Sequence, residues 1–253
     1  MIYNVAPDYQ ILTANYWEKQ MTYKNKKYDK DLRNILHYKQ HPQMIPFVGR
    51  DWDKMGKMLV VGESHYLNDD EKRENRNTWK NWYNITKKEL TNDQSVWTST
   101  ACMINADIKG NFFPNGHRIW KNVRDAIVET GFNPNGENPS EALYSIAFMN
   151  FFQRPALESG ESITYDENDI RTANSTLNGV VNAIGANYIF FVSSTAWDNF
   201  DKELFKDKII GHSCHPTSHW WNRESEQYTK AKSREKITGK ESFKYFIKKN
   251  INI

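Results

Sequence analysis

Lys57-Met-Leu-Val-Val-Gly-Glu-Ser-His-Tyr66 decides how this chain is read. Its first half is a short apolar run ending at glycine, the pattern of a strand buried on both faces of a parallel sheet. Its second half sets Glu63, Ser64, His65 and Tyr66 just beyond that strand. Tyr144-Ser-Ile-Ala-Phe-Met-Asn150, Tyr188-Ile-Phe-Phe-Val-Ser193 and Lys208-Ile-Ile-Gly211 read as three further strands. Between them lie helical patterns. Ile119, Trp120, Val123, Ile127 and Val128 recur at helical spacing over 117–130, with Gly131 as the stop. Ile170, Ala173, Leu177, Val180, Val181 and Ile184 share one face over 169–186. Residues 196–205 and 241–249 read as two more helices. Strands alternating with helices predict an α/β sheet, mostly parallel, with helices on both faces.

Such sheets bind ligands at the carboxyl ends of their strands. The residues delivered there are Glu63, Ser64, His65 and Tyr66, then Asn150, then Ser193 and Ser194, and finally His212, His215 and His219. All four strands send polar groups to one edge, as an active site requires.

The length of 253 residues fits one domain: an N-terminal extension with a helix (1–57), a core (58–220) and a basic helical tail (221–253). A helix is expected over 15–39, broken by His41-Pro-Gln-Met-Ile-Pro46. Residues 68–100 read as a surface excursion. Mean hydropathy is low at −0.81, but 9 Trp, 13 Tyr and 13 Phe exclude a disordered chain and predict a core built from rings. No apolar run reaches the roughly 18–20 residues of a membrane span. The first residues lack a secretory pattern, so the expectation is a cytoplasmic protein without membrane contact. Two cysteines, Cys102 and Cys214, support neither a disulfide framework nor a four-thiolate cluster. The net charge of +3 is uneven. Residues 222–253 carry nine Lys/Arg against four Glu, a net +5, and the remainder carries −2. That tail reads either as a solvated helix face or as a phosphate-facing surface.

Four pieces, in order, resemble the uracil-DNA glycosylase superfamily. Val60-Val-Gly-Glu-Ser-His-Tyr66 is similar to its first motif and His215-Pro-Thr-Ser-His219 to its second. Phe148-Met-Asn150 stands where the family has a strand ending in a base-reading Asn. Ile189-Phe-Phe-Val-Ser-Ser-Thr-Ala-Trp197 stands where it has a strand, a small-residue turn and a helix. The resemblance covers about residues 57–220. It implies a three-layer α/β/α fold with a central four-stranded, mostly parallel sheet, no cofactor and no metal, and DNA as the partner. There are departures. Ser64 stands where the best-known members place a water-orienting Asp, and His65 stands for a common Pro. Glu63 is similar to the Glu of the iron–sulfur branch, whose four cysteines are missing. His219 replaces the small residue that follows Ser218, and the bulky Trp220 and Trp221 come after it.

Hydrolysis of an N-glycosidic bond requires a flipped base read on its polar edge, with stabilisation of both the sugar cation and the departing base. Glu63, Ser64 and His215 are the candidate catalytic residues. Gly62, His65, Tyr66, Trp97, Asn150, Ser218 and His219 are the candidate substrate-binding residues. The Asn150 carboxamide matches the O4/N3–H edge of a pyrimidine. His215 suits the role of donor to the leaving base. A ring among Trp97, Phe112 and Phe113 would stack on it, and Trp220 and Trp221 are either a stacking surface or core. Three other readings compete. A serine hydrolase would use Ser64, Asp198 and His215 in the chain order of an α/β-hydrolase. A metal site would draw on His212, Cys214, His215 and His219 with Glu63 or His65. A binding module would keep the fold without catalysis.

Overall fold

The computed structural model describes residues 24–67, 76, 78–108, 118–132, 139–157, 162–229 and 235–251. In chain order the strands are β1 (Phe47–Val48), β2 (Met58–Gly62), β3 (His65–Tyr66), β4 (Ala147–Asn150), β5 (Pro155–Ala156), β6 (Tyr188–Phe191), β7 (Ile209–His212), β8 (Ser225–Thr229) and β9 (Lys236–Ile237). The helices are α1 (Asp29–Asn34), α2 (Leu36–Gln40), α3 (Asn92–Trp97), α4 (Thr100–Ile108), α5 (Arg118–Val128), α6 (Glu167–Ile184), α7 (Ser194–Asn199) and α8 (Gly239–Asn250). The protein is mixed α/β with a mostly parallel central sheet of five strands, ordered β1-β4-β2-β6-β7.

The four expected strands form the parallel part of that sheet. The fifth strand corrects the expected count of four: β1 pairs antiparallel with β4, Phe47 opposite Phe148. Two residues between Pro46 and Gly49 are too few to show a period, so only the pairing reveals this strand. The same edge takes residues 24–57 into the core, where Leu32, Tyr38, Met44, Val48 and Trp52 are buried.

Alternation along the strands divides the core in two. Leu59, Val61, Met149, Ile189 and Phe191 face Leu32 of α1, Tyr38 of α2 and Leu177, Val180 and Val181 of α6. Met58, Val60, Phe148, Phe190 and Val192 face Ile104 of α4, Trp120, Val123 and Ile127 of α5, and Phe243 and Ile247 of α8. Gly211 in β7 lets α8 close: a Cβ there would lie 2.5 Å from the Phe246 ring. The tail, expected to be helical, is a two-stranded antiparallel ribbon of β8 and β9 followed by the packed helix α8. Its apolar face is in the core, and Lys240 and Lys244 are both bonded to Glu129 at the end of α5. Among the helices the described residues contain, none is long and apolar enough to cross a membrane.

The helix expected over 15–39 is, over its described part, two helices broken at Ile35, whose ψ is 130°. Neither Gly nor Pro marks the break. The Ile35 side chain lies over Gly179, 3.2 Å from where its Cβ would be, so packing on α6 sets the turn. Tyr144 and Ser145, expected in a strand, belong to a 3-10 helix (Pro139–Ser145), where the Ser145 hydroxyl donates to the Ala142 carbonyl at 2.5 Å.

Candidate functional site

The chain leaves β2 for β4 on one side and returns to β6 on the other, so the order of the sheet reverses between β2 and β6. A crevice for ligands opens at such a switch point, beyond the carboxyl ends of the strands. Glu63 sits there, buried. Its Oε2 accepts from the Ser193 hydroxyl at 2.9 Å and its Oε1 from the Ile163 backbone N–H at 3.0 Å. Ser193 also caps α7, accepting the Ala196 N–H at 3.1 Å. The segment carrying Ile163 is fixed by the Arg154–Asp169 ion pair, with contacts of 2.7 and 2.8 Å. Asp169 in turn takes the Tyr83 hydroxyl at 2.7 Å.

Asn150 ends β4 opposite Gly62. A Cβ on residue 62 would come within 2.5 Å of Asn150 Oδ1 and 2.8 Å of the Phe148 ring, so the glycine is what admits the carboxamide to this position. The Asn150 side chain forms no hydrogen bond among the described residues. Phe148 is braced edge-on by Trp120, with centroids 4.2 Å apart.

His215 lies beyond β7, half-buried. Its Nδ1 accepts the Thr217 backbone N–H at 3.3 Å, with Thr217 Oγ1 at 2.7 Å. A neutral ring so held keeps its proton on Nε2 and presents a donor. Burial pushes the His215 pKa below the ordinary histidine value, while the Glu63 charge pulls it up. The loop around it is tied down twice: Ser218 N–H donates to the His215 carbonyl at 2.8 Å, and Asn122 of α5 to the Pro216 carbonyl at 2.6 Å. Ser64 and Tyr66 complete the group. Burial raises the Tyr66 phenol to about 12, Glu63 adds to the rise and the Ser64 hydroxyl opposes it.

Glu63, Ser64, Tyr66, Gly62, Asn150 and His215 are thus placed at one edge. The other expected residues are placed elsewhere or serve as supports. His65 is buried, with Nε2 3.2 Å from Thr100 Oγ1 and a further bond to the Trp97 carbonyl, and burial lowers its pKa to about 4. Trp97 is half-buried at the end of α3; Phe112 and Phe113 lie outside the described residues. The Ser218 hydroxyl accepts from the Trp220 N–H. His219 is exposed and packs on the Trp220 ring at 4.3 Å. Trp220 is 45% exposed and Trp221 only 1%, so the second of these rings is core.

The metal reading finds its residues dispersed. His212 stacks on Trp197 at 4.0 Å, and Cys214 is buried with its thiol pushed up to about 11. No group of three His, Cys, Asp or Glu among the described residues is arranged to hold an ion. The hydrolase reading finds His215 Nδ1 taken by Thr217, while Asp198, exposed on α7, bears on His212. Sequence reasoning passed over Ile163, which acts through its backbone, and Asn122 and Thr217, whose roles follow from loop geometry. No protein-family model and no curated protein matches the chain.

Proposed function

We propose that the chain binds a flipped nucleobase of DNA at the β2/β6 edge and hydrolyses its N-glycosidic bond, as a three-layer relative of the uracil-DNA glycosylases would. The observation that carries this reading is the Asn150 carboxamide, without a partner among the described residues and seated over Gly62, at the edge where Glu63 and His215 interact. A planar group with one donor face and one acceptor face reads the edge of uracil or a related deaminated base. His215 Nε2–H stabilises the negative charge as the base departs. Glu63 stabilises the sugar cation. The oxygen of water bonds to C1′ as the C1′–N bond breaks, and the base leaves with the bonding pair and takes up the proton released by the water.

A second reading, a nucleic-acid or nucleotide binding module of the same fold, is favoured by one specific fact. Both Glu63 oxygens already hold structural hydrogen bonds, and Ser64 stands beside them without a carboxylate. Oligonucleotides carrying uracil, hypoxanthine or xanthine, probed for abasic sites, separate the two. Excision lost in His215→Ala and Asn150→Ala supports the enzyme. Salt-sensitive binding without excision supports the module. Neither binding nor excision refutes both.

A further inference from the structure

Away from that edge, a cavity of about 160 Å³ lies between the segment Lys24–Ile45 and the turn joining α3 to α4. It is as large as cavities that hold a benzene-sized molecule. Its wall is basic: Lys26, Arg33 and Lys87 converge on it, and none of the three has an ion-pair partner among the described residues. Lys24, also on the wall, is paired with Asp29 at 2.6 Å. Four cations against one carboxylate leave a net charge of +3 on the residues lining the cavity.

The floor adds directed groups. Ser99, Ala101 and Cys102 open the nine-residue helix α4, with the Ser99 hydroxyl accepting the Cys102 N–H at 3.3 Å. The amino end of a helix favours an anion through its unbonded N–H groups and its dipole. An independent sign of a ligand comes from Ser95 and Gln43, on the same wall and only 5% and 6% exposed. The Ser95 hydroxyl and Gln43 Oε1 are enclosed without a hydrogen-bond partner among the described residues. Buried polar atoms are rarely left so, and each costs about 1–3 kcal/mol unpaired. Ser95 has an O–H to give, and Gln43 an oxygen that accepts from a ligand hydroxyl. An anion with several oxygens, two negative charges and an adjoining hydroxyl meets all of these requirements.

We infer that this cavity is a binding site for a phosphate monoester, held by Lys26, Arg33 and Lys87 over the amino end of α4 with Ser95 at its base. The inference is independent of the proposed glycosidic chemistry. The ester has two sources of the same chemistry, a free nucleoside monophosphate and the 5′-phosphorylated end of a strand.

Calorimetric titration of the full chain at low salt with inorganic phosphate, with uridine 5′-monophosphate, and with one short oligonucleotide bearing either a 5′-phosphate or a 5′-hydroxyl tests it. Saturable binding of phosphate is expected, weakened about tenfold in Arg33→Ala and again in Arg33→Ala/Lys87→Ala, about 1.4 kcal/mol for each tenfold step. Arg33 is exposed and Lys87 half-exposed, so both variants are expected to fold; Ser95→Ala gives a loss without a change of charge. His215→Ala leaves the affinity unchanged, so failure of the glycosylase reading and failure of this one are separable. Tighter binding of the 5′-phosphorylated oligonucleotide than of its hydroxyl form identifies a strand end. Tighter binding of the mononucleotide identifies a free nucleotide. No saturable phosphate binding up to ~10 mM, or binding unaffected by the double variant, overturns the inference.

Discussion

Lowering the pH from neutral to about 5 should unfold this protein through three histidines at the α2 end of the core. His37, His41 and His65 are 5%, 0% and 7% exposed. His37 stacks on His41 with centroids 5.0 Å apart, and His41 stacks on Trp82 at 4.5 Å. Burial lowers their pKa values to about 3 for His37, about 4 for His41 and about 4 for His65. His37 is pushed further by the charges His41 and His65 would carry, while the Trp82 carbonyl and Glu89 oppose the fall at His41. The unfolded chain binds these protons near pH 6.5 and the folded chain only near 3 to 4. Stability is therefore complete above about pH 6.5 and is lost as the pH falls toward 4. At pH 5 each histidine costs about 2 kcal/mol, and the three together about 6 kcal/mol, within the range of a whole domain's stability.

Urea denaturation followed by far-UV circular dichroism, at constant ionic strength between about pH 7.5 and pH 5, reads this directly. The unfolding free energy should fall by about 4 kcal/mol per pH unit near pH 5, the slope of three protons taken up. His37→Phe keeps a ring against His41 and removes one titrating group, so the slope should drop by about a third. Stability independent of pH over this range, or an unchanged slope in His37→Phe, would mean that these histidines do not drive acid unfolding.

Arg154→Ala strands the carboxylate of Asp169, which is 1% exposed, and should cost about 3–5 kcal/mol in urea denaturation. Gly62→Ala drives a methyl toward Asn150 Oδ1 and the Phe148 ring; a loss of about 1–3 kcal/mol is expected, with a larger fall in nucleobase binding than stability explains, measured by titration. Ser193→Ala removes both the α7 cap and a donor to Glu63, so about 1–3 kcal/mol is expected, with recovery in Ser193→Thr. Cys214, buried with a thiol raised to about 11, should resist iodoacetamide in the folded protein near pH 8 and react only on unfolding, as mass spectrometry would read it.

The elements legible in the sequence are those whose own side chains carry a period. The run Met58–Gly62 and the helices Arg118–Val128 and Glu167–Ile184 stand within two or three residues of their expected places. What was not legible is what a second segment imposes. β1 exists because Phe47 finds Phe148 across an edge. The break at Ile35 exists because α6 offers Gly179 beneath it. β3 and β5 are two residues each and, among the described residues, pair with one another alone.

The candidate site divides along the same line. Asn150, Glu63 and His215 were legible because a strand end fixes a residue's place in the fold whatever surrounds it. Their chemistry was not, since it depends on partners supplied from elsewhere: the Ile163 N–H from a loop about a hundred positions away, Ser193 from the next strand, and Thr217 folded back on its own loop. The tail argues the same point from charge. Its +5 read either as a solvated helix face or as a surface for phosphates; Phe243 and Phe246 bury one side of its helix, and Glu129 engages Lys240 and Lys244. Lys26, Arg33 and Lys87, distant from the tail in sequence, converge on one cavity of a body whose formal charge is −2. A net charge counted along the chain does not by itself find an anion site, because an anion responds to cations that converge in space.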